Sequence, residues 1–293
     1  MPYREVFDVV LPTFVTIIIG YIFGKFVKLD LSGINKIIFY IGLPAVAFTS
    51  ILSKDIVLED AATVWGAELI VTFGCAAAAW LLFKWRREKH SSLYLPAALP
   101  NTINIPFPII SLAYGTEGLF YAVLYFIPNS ILMNSVAVFI AAGKGWRENL
   151  KTVLKVPAMY AAFLALTLNL LHINVPPIVM GPIDFISNMV IPMVVLTLGY
   201  SLAQVKITSL STTLLTALVR LGGGLALGFL AAYLFNITGV MRSVVILVSA
   251  MPSAMNTYLL AAMYKNEEEL VASVVFVTTA ASLVIIPVLL KIL

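Results

Sequence analysis

A chain of 293 residues that is 61% hydrophobic and only 11% charged, with a mean hydropathy of +1.02, is excluded from the water-soluble classes, because too few ionic side chains remain to cover a solvated surface. One cysteine, Cys75, excludes a disulfide framework and a thiolate metal cluster. The net charge of +4 requires no nucleic-acid partner, since the loop lysines and arginines of membrane proteins set orientation.

Apolar runs of about 20 residues, the length that crosses a bilayer, predict an all-α polytopic membrane protein. Ten spans are expected, at 5–26, 33–53, 61–83, 92–113, 118–141, 152–172, 181–203, 210–235, 242–263 and 270–291. Span 1 has no basic leader and no small-residue cleavage site behind it, so it reads as a helix rather than a signal peptide. Span 3 carries Glu68 and span 8 carries Arg220, the clearest ionisable residues inside spans. Span 4 holds Pro96, Pro100, Pro106 and Pro108, with Asn101, Thr102 and Asn104 between them. Span 5 brings Asn129 and Asn134, which line a cavity or bond a neighbouring helix. Asp184 is expected at the start of span 7, where an acid suits the helix dipole. Gly222, Gly223 and Gly224 favour close helix packing beside Arg220. Span 9 holds Pro252, Ser253 and Asn256, and Glu267, Glu268 and Glu269 precede span 10.

The polar connector from Gly143 to Lys151 divides the chain into two five-span halves, 1–143 and 144–293. They can be superposed in sequence: Pro12 falls on Pro157, Pro44 on Pro192, Pro100 on Pro252 and Asn104 on Asn256. Loop cations give the orientation. Odd-numbered connections carry Lys25, Lys28, Lys36, Lys84, Arg86, Arg87, Lys89, Lys144, Arg147, Lys151, Lys155, Lys206 and Lys265, against Arg4, Lys54, Arg242 and Lys291 opposite. The positive-inside rule then puts both termini on the non-cytoplasmic side. Five spans per half make the second half an inverted repeat of the first, a common transporter architecture. Trp65, Trp80, Trp85 and Trp146 lie near predicted span ends, where indoles favour the interface.

Spans 4 and 9 share one pattern. Leu99-Pro100-Asn101-Thr102-Ile103-Asn104 and Met251-Pro252-Ser253-Ala254-Met255-Asn256 each place an asparagine four residues after a proline. Proline removes a donor and clashes with the preceding turn, so a helix breaks there. A break at membrane depth survives only where protein or a water-filled cavity covers the freed backbone. Two matched breaks point to a binding site where half-helix N-termini, each about half a positive charge, meet an anion. Pro100, Asn101, Asn104, Pro252, Ser253 and Asn256 are the expected substrate-binding residues. The same side chains serve equally well as caps of the broken backbone. For Glu68 and Arg220 these readings stand: a titrating carboxylate that couples transport with a cation that attracts or balances the substrate, a structural ion pair, or a Glu68 shallow enough to reach the lipid headgroups. No catalytic residue, cofactor or metal site is expected.

The run from Ala250 to Ala261, with Tyr264 and Thr278-Thr279, resembles the auxin efflux carrier family, as do Asn101, Pro108 and Tyr114-Gly115-Thr116-Glu117-Gly118-Leu119. Ile103 and Pro106 depart from the glycines that the family often has there, and the long central loop of its plant members is absent. The resemblance implies a sodium/proton antiporter-like and bile-acid-symporter-like fold with a 5+5 inverted repeat and broken spans 4 and 9. It implies a scaffold of spans 1, 2, 6 and 7, and a moving body of spans 3–5 and 8–10. A small carboxylate would bind at the crossover and ride an elevator motion, in a homodimer in the plasma (inner) membrane. Pro100, Asn101, Pro252 and Ser253 would frame the carboxylate. The alternatives are a sodium-coupled carrier of the bile-acid type and a membrane sensor without turnover. An intramembrane enzyme finds no nucleophile–base pair among the span residues.

Overall fold

The computed structural model describes residues 3–53, 58–87, 90–137, 140, 157–205 and 207–293. Side chains at Asn134, Trp146 and the connector 143–151 lie outside the described residues.

Every element among the described residues is helical. The helices are α1 (Tyr3–Phe26), α2 (Ser32–Leu52), α3 (Leu58–Arg86), α4 (Tyr94–Ala98), α5 (Pro106–Leu132), α6 (Pro157–Leu170), α7 (Pro177–Leu202), α8 (Leu210–Leu234), α9 (Gly239–Ser249), α10 (Met255–Met263) and α11 (Glu268–Ile292). Seven of them, α1, α2, α3, α5, α7, α8 and α11, are long and apolar enough to cross a bilayer. Wider π-type turns interrupt α2 at Ile38–Gly42 and α8 at Val219–Gly223, and such bulges often accompany functional positions.

The span boundaries shift in three places. The third helix runs farther than 61–83 at both ends; Glu59 and Asp60 in its first turn and Lys84 and Arg86 in its last suit the macrodipole and extend it. Spans 4 and 5 share α5, which bends at Gly115, where φ is 62° and ψ is −151°. Only glycine adopts that conformation without steric cost. The seventh helix starts at Pro177, the N1 position that proline prefers. Asp184 therefore lies two turns inside α7, exposed, rather than at the helix start.

Packing falls into two groups. Helix α1 lies along α7, and α2 packs on α6 and α7. The other group is α3 with α4, α5 and α8, α9 with α5 and α8, and α11 with α8 and α10. Within the first group α1 and α7 meet backbone to backbone. A Cβ on Gly199 would lie 2.1 Å from the Ile17 carbonyl oxygen, and one on Gly20 would lie 2.3 Å from that of Leu196. In lipid, where apolar burial drives little association, such close approach is what holds helices together. In the second group Glu267, just before α11, receives His90 Nδ1 at 2.5 Å and the Ser92 hydroxyl, tying the start of α4 to the start of α11.

Candidate functional site

The two prolines interrupt the chain as the pattern predicts. After α4 the backbone is non-helical from Leu99 until α5 begins at Pro106, and after α9 it stays open until Met255. The two breaks then pair with each other. Asn101 N–H donates to the Pro252 carbonyl at 2.7 Å, and Ala254 N–H donates to the Leu99 carbonyl at 3.0 Å. Pro100 and Ser253 face each other as an isolated antiparallel bridge. Away from water, backbone groups freed from a helix need such partners.

Four half-helices end here, and their charges are handled differently. The carbonyl ends of α4 and α9 are capped by Arg220, which is fully buried. Its Nη1 donates to the Ala98 carbonyl at 2.6 Å and its Nη2 to the Ser249 carbonyl, also at 2.6 Å. A guanidinium thus sits where two helix dipoles point their negative ends. Gly224 makes the room: a Cβ there would lie 2.1 Å from Arg220 Nη2 and 2.2 Å from the Ser249 oxygen.

The two N-termini are unequal. At the start of α5, Pro106 and Pro108 have no N–H, and Phe107 and Ile109 donate to the Ile103 and Ile105 carbonyls. That turn offers no free donor. At the start of α10, the N–H groups of Met255 and Asn256 have no partner among the described residues. The symmetric pair of donor ends that the sequence suggests is therefore one-sided, because two prolines occupy the first turn of α5.

Asn101 is buried. Its Oδ1 accepts from Ile103 N–H at 3.3 Å and Asn104 N–H at 2.9 Å, while Nδ2 has no partner. An uncompensated buried amide donor costs roughly 1–3 kcal/mol. Asn101 lines the smaller of two adjoining pockets, an inner lobe of about 80 Å³, which also reaches Pro100, Thr102, Asn129 and Ser130. The outer lobe, about 270 Å³, extends along α2 and α7 to Asn35, Lys36, Thr197 and Ser201. Phe39, Leu43, Ile103, Asn104, Met255 and Asn256 line both lobes.

The structure thus gathers Pro100, Asn101, Asn104 and Asn256 around one cavity. Ser253 and Pro252 stand behind it. The Ser253 hydroxyl donates to the Pro96 carbonyl at 2.6 Å and its N–H donates to Thr278 Oγ1 at 3.1 Å, while the Pro252 carbonyl is taken by Asn101. Arg220 and Glu68 are both fully buried and line neither lobe. They form no direct ion pair: Arg220 Nη1 and Nη2 donate to backbone carbonyls, and its Nε has no partner. Glu68 Oε1 accepts from Thr72 Oγ1 at 2.7 Å and from Asn129 Nδ2 at 3.2 Å, and Oε2 has no partner. Asn129 Oδ1 in turn accepts from Thr102 Oγ1 at 3.4 Å. Asn129 therefore both lines the cavity and bonds a neighbouring helix. Lys36, which sequence reading used only for orientation, also lines the outer lobe; its place two residues before the π-type turn of α2 was the available signal. Among the described residues, no group of three or more His, Cys, Asp or Glu is placed to hold a metal ion.

An all-helical membrane protein with two interrupted helices paired at their breaks is the architecture of a transporter. A sequence model of the family described as Membrane transport protein, the auxin efflux carrier family, matches residues 5–152 and 147–290, and the chain belongs to that family. It is similar to Uncharacterized transporter MJ1031 of Methanocaldococcus jannaschii, with 27% identity over 95% of this chain and 96% of the relative. It is also similar to an Uncharacterized transporter of Methanothermobacter thermautotrophicus, with 25% identity over 96% of each chain.

Proposed function

We propose that this transporter is a secondary carrier of small organic anions, mono- or dicarboxylates, that binds its substrate at the crossing of the two broken helices. One carboxylate sits in the inner lobe against Asn101 Nδ2 and the free N–H groups at the start of α10. The observation that carries this reading is the buried, unpartnered amide of Asn101, a residue that lines a cavity with no acidic side chain among its described lining residues. Arg220 contributes at a distance by cancelling the two carbonyl ends, which leaves the donor end of α10 unopposed. Pro252 and Ser253 hold the crossing rather than touch the solute.

Helices α1, α2, α6 and α7 act as the scaffold, and α3–α5 with α8–α11 carry the site past it in an elevator motion. The cavity lies between the two groups, where such a motion would expose it alternately. The 5+5 inverted repeat underlies the exchange of the two states. The protein works as a homodimer in the plasma membrane with both termini outside, so the Lys36 end of the cavity opens to the cytoplasm.

The test is a thermal-shift screen of the purified protein against mono- and dicarboxylates. A ligand at a hundred times its Kd stabilises by about 2.7 kcal/mol. Parent protein should gain melting temperature with the bound acid, and Asn101→Ala should lose that gain. A carboxylate that stabilises both equally sinks the site.

A further inference from the structure

We propose that Lys36 is the specificity-determining residue of this cavity: its ammonium receives a second acidic group, so the preferred substrate carries two. This inference rests on the carboxylate reading of the crossing and adds the residue that reads the far end of the solute.

Three observations meet here. Lys36 is the one charged side chain among the described residues lining either lobe. Its Nζ is also uncommitted. Lys25, nearby on α1, donates to the Ala203 carbonyl at 2.7 Å and lies over the Tyr21 ring, and Lys84 lies over the Trp80 ring. Lys36 has neither a hydrogen bond nor an ion pair among the described residues. The nearest candidate, Asp30, is occupied: its Oδ1 accepts from Ser32 N–H at 2.9 Å and its Oδ2 from the Ser32 hydroxyl at 2.6 Å. Those two bonds, and to a lesser degree the charge of Lys36, hold the Asp30 carboxyl below the usual carboxylate range. Asp30 is thus held by Ser32 and makes no hydrogen bond or ion pair with the Lys36 ammonium.

The third observation is spacing. Lys36 and Leu43 both line the cavity, and seven residues of helix advance roughly 10 Å. Leu43 also borders the inner lobe with Asn101. The cavity therefore has donors at the crossing in one lobe and the side chain of Lys36, one helix segment away, lining the other. A solute with acidic groups at both ends of a short carbon chain uses both. A solute with one acid leaves Lys36 to water.

Succinate and succinamate, its monoamide, differ in one charge at nearly equal size. Their binding to the full-length parent and to Lys36→Gln, Lys36→Arg and Asn101→Ala is measured by calorimetry, with ligand-free melting as the control for folding. We expect the parent to prefer succinate by roughly fivefold, the worth of one partly solvated charge pair. Lys36→Gln should lose that preference while binding succinamate as the parent does, Lys36→Arg should keep it, and Asn101→Ala should weaken both compounds. A Lys36→Gln protein that keeps the preference, or loses both compounds alike, overturns the role of Lys36 and leaves the carboxylate site standing. A parent that binds neither compound overturns the carboxylate reading itself.

Discussion

At the residue scale, the position of Arg220 decides its chemistry. A lone cation in a span costs roughly 2.5–3.5 kcal/mol on insertion scales. Here two carbonyls at helix C-termini, Ala98 and Ser249, receive its Nη1 and Nη2 at 2.6 Å. Removing it strands both, at roughly 1–3 kcal/mol for each unsatisfied group. Arg220→Met should therefore lower the melting temperature of the detergent-solubilised protein and abolish transport. Arg220→Lys should restore only part of the stability, because an ammonium lacks the planar fork that reaches two acceptors. A melting curve for Arg220→Met that overlays the parent's would remove the guanidinium from the architecture. Asn101 is a parallel case: its oxygen closes the turn into α5, and its amide nitrogen Nδ2 is left without a partner.

At the element scale, prolines and glycines set where backbones bend and touch. Pro106 and Pro108 leave the first turn of α5 without a free donor, whereas α10 has no proline in its first turn and its Met255 and Asn256 N–H groups have no partner among the described residues. Gly199 and Gly20 bring α1 and α7 into backbone contact. Gly199→Ala would press a methyl group on the Ile17 carbonyl and force the helices apart, at roughly 1–3 kcal/mol for overpacking. The check is its melting temperature against that of Gly181→Ala on the same helix, where a Cβ meets nothing within 4 Å. Equal melting of the two variants would show that α1 and α7 are not held by this contact.

At the scale of the whole molecule, the proposed elevator motion makes a definite statement about Asn256, which is exposed and lines both lobes. Cys75 is buried with its Sγ toward the Val219 carbonyl, so a cysteine placed at Asn256 is the reactive thiol. In sealed vesicles, Asn256→Cys should react with an impermeant maleimide from the side of the α1–α2 connection, and a bound carboxylate should slow the reaction. Locking the carrier by labelling should stop uptake. Fast simultaneous labelling from both sides would describe an open channel and end the elevator reading.

Hydropathy and proline are local signals, and they determined most of what was legible: a helical membrane chain, the approximate spans, and breaks near Pro100 and Pro252. The bilayer makes this strong, because a chain without water must satisfy its backbone within each helix and any exception stands out. The family followed from the same motifs. Only the tertiary structure decided which groups meet. Arg220 reaches carbonyls 122 and 29 residues away, Asn101 bonds Pro252 across the crossing, and Ser253 turns to Pro96 instead of the cavity. Lys36, counted in the sequence as a loop cation, joins the cavity because α2 packs beside the breaks. A side chain's partner depends on how distant helices pack, and hydropathy, being summed along the chain, carries no record of that.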